Sequence, residues 1–246
     1  MTMFAAGRAR VVSWAVAAVA AVAGTAFATG TAQAGAPVTL GGGSGIIVEQ
    51  MAEPDTAADC TLTAIGFDRT DRLVGLTAGH CGEVGARLLA EYDPEAGVVG
   101  HIAAKSEDFD WAVIEFDAAR VVPTRQVAQS VINGTGTAPR TGDNVCKNGR
   151  TTGFTCGIVW ETHPAWFASH VCADYGDSGS PVLMGDRLIG MIVAGKDFEV
   201  GPVTVPLPSC QGAGDVIHQP DAATTIAAVL ADIDRQGGVG AGFRLF

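Results

Sequence analysis

From residue 46 onward, short apolar runs alternate with turns marked by glycine and proline. Stretches 60–67, 73–77, 85–89, 98–102, 111–116 and 144–146 read as strands. Stretches 155–160, 181–184, 188–193, 203–207 and 215–218 continue the series. So many short strands separated by turns predict an all-β sandwich or barrel architecture. Near the end the period changes. Ala222, Ile226, Val229, Leu230 and Ile233 recur at helical spacing over 221–234, and Gly237-Gly238 stops the helix. Residues 35–45, with Gly41-Gly42-Gly43-Ser44-Gly45, read as a flexible N-terminal segment. The tail 239–246 carries apolar Phe243, Leu245 and Phe246 and fits no element.

The first 34 residues have a different character. Arg8 and Arg10 precede an apolar run over about 11–28, and Ala32-Gln33-Ala34 follows as a small-residue cleavage pattern. This reads as a signal peptide, 1–34, with an N-terminal membrane anchor as the alternative. Cleavage leaves 246 − 34 = 212 residues, enough for one domain built of two packed halves over 46–246, their boundary at about 120–135. Removing two arginines and no acids moves the net charge from −11 to −13. That balance argues against nucleic acid and anionic membranes as partners. Six cysteines, Cys60, Cys81, Cys146, Cys156, Cys172 and Cys210, all lie beyond the signal. Three disulfides follow for an exported chain, with 15 connectivities open. No zinc-like spacing is present, so no metal is expected. Signal and cysteines agree on an oxidising location, extracellular or in the cell envelope.

The chemistry concentrates in Gly176-Asp177-Ser178-Gly179-Ser180-Pro181. Flanking glycines let a serine sit on a tight turn facing solvent, but its hydroxyl needs a neighbouring base to become nucleophilic. Thr77-Ala78-Gly79-His80-Cys81 offers that base, and Asp110, opening Asp110-Trp111-Ala112-Val113-Ile114, an orienting carboxylate. Asp108 competes for this role, since residues two apart on a strand share a face. Asp110 is preferred because it directly precedes the apolar run. Backbone N–H groups of Gly176 and Ser178 are placed to stabilise a developing oxyanion. His101, His163 and His170 read as surface or packing residues.

These motifs, in the order His80, Asp110, Ser178, resemble the chymotrypsin-like serine proteases and, more narrowly, their bacterial streptogrisin-like branch. The six positions from Cys172 to Ser178, the Gly149-Arg150-Thr151-Thr152-Gly153 segment and His218-Gln219-Pro220 carry the narrower resemblance. It runs from about residue 46 to 237. The resemblance implies two antiparallel six-stranded β-barrels with the site in the cleft between them and a C-terminal helix. It implies the pairings Cys60–Cys81, Cys146–Cys156 and Cys172–Cys210, each worth on the order of 3 kcal/mol by chain entropy. It implies a secreted, monomeric serine endopeptidase acting on polypeptide through a Ser178–His80–Asp110 triad, without a cofactor. Substrate would then meet Ala173, Asp174, Val193, Ala194, Gly195 and His218.

Asp177 needs a cation, because a buried lone carboxylate is costly; the branch's internal cation aligns with Lys147, with Arg150 as the alternative. His218 alone is thin support for a preference for acidic substrates, because Val182 and Ile192 stand where such members use further histidines. Two departures matter. Ser180 replaces a usual glycine, and Val193 replaces a serine whose hydroxyl supports the triad aspartate. The competing reading is therefore a catalytically weak homologue whose cleft binds a peptide or protein. An esterase using the same chemistry is a third reading.

Overall fold

The structure is a computed structural model and describes residues 36–246, except 53–54, 201–202 and 213. The signal-peptide reading therefore lies outside the described residues. Residues 36–246 belong to a single compact unit.

Its first half contains β1 (Gly45–Glu49), β2 (Ala57–Thr61), β3 (Ala64–Phe67), β4 (Leu73–Ala78), β5 (Arg87–Ala90), β6 (Val98–Ser106) and β7 (Trp111–Phe116). They hydrogen-bond in the order β3-β4-β7-β6-β5-β1-β2. The two ends of that sheet are one continuous piece of chain. Leu62 and Thr63, both fully buried, link β2 to β3, and the Leu62 and Thr63 amides bond to Ser44 and Leu76 at 2.8 and 2.7 Å. The bent segment thus pairs with β1 at one end and β4 at the other, closing a six-stranded barrel.

The second half contains β8 (Asn144–Gly149), β9 (Gly153–Thr162), β10 (Trp166–Ser169), β11 (Pro181–Met184), β12 (Arg187–Gly195) and β13 (Asp221–Thr225). The order β12-β11-β8-β9-β10-β13 closes through pairing of β12 with β13, with a bulge at Val193. Two minor pairings depart from the antiparallel expectation. Val38–Leu40 runs parallel to Val121–Pro123, and Gly134–Thr135 runs parallel to the start of β12.

Strand alternation sorts the side chains. In β7, Ala112, Ile114 and Phe116 enter the first barrel's core, while Trp111 and Val113 turn outward. There they meet Leu183, Leu188 and Met191 of the second half and Ile226, Val229 and Ile233 of the helix α1 (Ile226–Gln236). Trp111 Nε1 donates to Asp232 Oδ2 of that helix at 2.9 Å. The strand that follows Asp110 is thereby fixed to the chain's last helix.

Four expectations need correction. Helix α1 begins five residues later than its apolar period suggests. Residues 221–225 form β13 instead, because Thr224 and Thr225 suit a pleated strand and β12 offers them a ladder. Thr225 then caps the helix, its Oγ accepting from the Ala228 amide. Residues 215–218 are not a strand, and Val216 and Ile217 are exposed. The segment 36–45 is not free chain: Val38–Leu40 is paired, and Leu40 is buried. The tail also has a place. Arg244–Leu245 pairs with β3, and Val239, Phe243 and Leu245 pack on the cluster between the halves.

Candidate active site

His80 sits on a single 3-10 turn, Gly79–Cys81, directly after β4. The Cys60–Cys81 disulfide ties that turn to β2. Gly79 is required there, because a Cβ would lie 2.9 Å from Ser106 O and 3.0 Å from Asp110 Oδ1. Asp110 adopts φ +49° just before β7, a conformation that Asp tolerates better than bulkier side chains. This kink turns its carboxylate onto His80. Oδ1 accepts from the His80 amide at 2.8 Å, and Oδ2 lies 2.8 Å from Nδ1. A carboxylate only accepts, so Nδ1 carries the proton and Nε2 presents its lone pair. That lone pair faces Ser178 Oγ at 2.8 Å. Asp108 is exposed.

The Ser178 turn is held from both halves. Gly176 and Gly179 take φ +95° and +87°. A Cβ on Gly179 would lie 2.2 Å from Thr61 O. From the first barrel, Thr61 Oγ1 donates to Gly176 O at 2.9 Å, the Thr61 amide to Ser178 O at 2.8 Å, and Thr63 Oγ1 to Gly179 O at 2.6 Å. These threonines were not singled out from the sequence, where they look like ordinary strand residues. Among the described residues, the amides of Gly176 and Ser178 have no protein acceptor. Both residues line the cleft and leave these donors for a ligand.

Asp177, fully buried, is met by Lys147 Nζ at 3.2 Å, and Lys147 is fully buried as well. Lys147 also reaches Thr152 Oγ1 and, at 2.9 Å, Gly153 O, which uses all three of its donors. Burial pushes its pKa down, and Asp177 opposes the shift. Asp177 further accepts from the amides of Thr151, Thr152 and Asp174, the first at 2.9 Å. Arg150, the alternative partner, binds Glu91 instead.

The cleft beside Ser178 has a volume of about 730 Å³. Ala173, Asp174, Val193, Ala194 and Gly195 line it; His218 does not. His218 is buried, its ring stacked on His170 at 3.9 Å, with Nδ1 2.7 Å from Gln219 O. Burial, together with the neighbouring His170, pushes its pKa down. Its neighbours Gln219 and Asp221 reach the cleft instead. Val193, at the bulge, packs against the core clusters on either side. Three disulfides join Cys60–Cys81, Cys146–Cys156 and Cys172–Cys210.

No protein-family model matches the chain. An uncharacterized protein of Mycobacterium tuberculosis is 31% identical over 144 residues, 51% of this chain and 61% of its own length. Streptogrisin-C of Streptomyces griseus is 27% identical over 163 residues, 58% of this chain and 32% of its own. The chain thus spans about three fifths of the first relative and about a third of the second. Thermobifida fusca Protease A superposes with a TM-score of 0.62 at 19% identity, over 85% of this chain and 100% of that one. The fold is that of the bacterial chymotrypsin-like serine proteases. Within that chymotrypsin-like fold, the cleft between the barrels and the three hydrogen-bonded side chains occupy one site.

Proposed function

We propose that the chain is a serine endopeptidase, exported after removal of residues 1–34 and acting as a monomer on polypeptide through residues 46–246. The observation that carries this reading is the unbroken hydrogen-bond chain from Ser178 Oγ through His80 to Asp110. Ser178 Oγ attacks the scissile carbonyl carbon while His80 Nε2 takes its proton, and the carbonyl electron pair moves onto oxygen. The Gly176 and Ser178 amides hold that oxyanion. Asp110 keeps Nδ1 protonated and balances the imidazolium. Collapse of the intermediate breaks the C–N bond, and His80 returns the proton to the leaving amine. Water then repeats the sequence on the acyl-enzyme, releasing the acid and restoring Ser178. The ion pair of Lys147 with Asp177 sets the turn without help from a newly formed N-terminus.

A second reading, a peptide-binding homologue of low activity, is favoured by Val193, which brings no hydroxyl toward Asp110. Incubation with a fluorophosphonate followed by intact-mass measurement separates the two. The peptidase reading expects one adduct on the mature protein and none on Ser178→Ala. Folded, disulfide-intact protein that gains no adduct contradicts it.

A further inference from the structure

Asp221 opens β13 at the floor of the cleft, in register with Gly195 on one side and Ser169 on the other. It is only 3% exposed, yet among the described residues its Oδ2 has no hydrogen-bond partner. Ser169 Oγ, on the paired strand, is likewise buried and unpartnered. The Ala173 amide is one donor the carboxylate does receive. A buried carboxylate left in this state is costly unless something compensates it. Among the described residues, the cations beside this carboxylate are already engaged. Lys147, whose charge acts on Asp221, spends its three donors on Asp177, Thr152 and Gly153. Arg150, at the cleft wall, is engaged by Glu91.

The remaining charge in the cleft has the same sign as Asp221. Asp174 lines it and brings a further carboxylate, while Asp59, also in the lining, lies 3.8 Å from the Arg150 guanidinium. With Asp221 ionised, a ligand with an acidic side chain would add like charge to this site, and an apolar one would leave Oδ2 unsatisfied. A cationic side chain supplies both donors and counter-charge.

We propose that Asp221 determines specificity, and that the cleft takes a lysine or arginine side chain immediately before the scissile bond. Burial also pushes the Asp221 pKa up to about 8, with Lys147 opposing the shift and Asp177 and Asp174 adding to it. An arriving cation is the group that would hold the carboxylate ionised. The inference rests on the peptidase reading for its substrate, but not for its binding site.

The test therefore has a catalytic and a binding arm, both at pH 8.5. Disulfide-intact mature protein is profiled on a peptide library varied at the residue before the scissile bond. Benzamidine, which mimics an arginine head group, is titrated calorimetrically into the Ser178→Ala protein. The wild type should favour lysine and arginine, and Asp221→Asn should lower the arginine-to-leucine selectivity about a hundredfold, the scale on which a buried charge loses its partner. Benzamidine affinity should fall by a similar factor when Asp221→Asn is added to Ser178→Ala. A wild-type preference for neutral or acidic residues overturns the proposal, even if Asp221→Asn does not fold. So does unchanged selectivity in a folded variant. If the wild type takes no fluorophosphonate and cleaves nothing while benzamidine binds through Asp221, the peptidase reading fails and the cationic site stands. Should benzamidine fail to bind as well, the site falls too.

Discussion

Replacing Lys147 with methionine removes the cation that hydrogen-bonds to Asp177 among the described residues while keeping the side chain's approximate length. Lys147 and Asp177 are both 0% exposed and 3.2 Å apart. Breaking one side of a buried pair typically costs about 3–5 kcal/mol, because the other charge stays buried and uncompensated. Here Asp177 retains the amides of Thr151, Thr152 and Asp174 and the hydroxyl of Thr152. Those donors place the expected loss at the lower end, about 3 kcal/mol. For a chain of this size, that corresponds to a Tm lowered by about 6–12 °C. Thermal unfolding followed by circular dichroism, with the disulfides intact, measures it. A Lys147→Met, Asp177→Asn double variant should recover part of the loss, because the orphaned charge is gone. A Tm within about 2 °C of wild type for Lys147→Met would refute the reasoning, since it would mean the pair carries no net stabilisation. Because Asp177 precedes Ser178, the same variant should also lower the rate of fluorophosphonate labelling.

Other consequences can be checked separately. Asp110→Asn replaces the acceptor that fixes the His80 tautomer, and kcat on a peptide substrate should drop by about 10⁴, as for the equivalent change in related triads. Gly179→Ala places a Cβ 2.2 Å from Thr61 O at φ +87°; chemical denaturation should show a loss of at least about 1 kcal/mol. The raised pKa of Asp221 gives a pH dependence with a definite sign. The folded protein holds this proton up to about pH 8, whereas the unfolded chain releases it near the ordinary value of 3.8. Asp221 therefore contributes stability that is full below about pH 4 and lost as pH rises toward 8, at up to about 1.4 kcal/mol per pH unit. Asp221→Asn should flatten that decline in a series of denaturation curves measured from pH 4 to 8.

The turns that carry Ser178 and His80 were more legible than the distant pairings around them. Ser178 and His80 stand in motifs whose glycines have local reasons, visible as the positive φ of Gly176 and Gly179 and the close approach at Gly79. Asp110 over Asp108 was legible from its place before the apolar run. What the chain alone did not reveal depends on distant partners. The first turn of the expected helix became β13 because β12 offered a ladder, a contact that no local period encodes. His218 was placed at the cleft only through the resemblance, but its ring stacks on His170 and leaves the cleft to Gln219 and Asp221. Asp221 reads as a polar residue opening a helix. Its burial appears only once Gly195 and Ser169 flank it. Thr61 and Thr63 support the Ser178 turn from the other barrel across more than a hundred residues of sequence.

Hydrolysis at this site requires that Ser178 become acylated by substrate. Its most direct measurement is an acid quench of the mature protein during peptide hydrolysis, followed by peptide mapping in a mass spectrometer. An acyl group is expected on Ser178 in the wild type and not in Ser178→Ala, which should cleave no faster than the triad-free background. Continued cleavage by Ser178→Ala at the wild-type rate, or an acyl group on another residue, would contradict it.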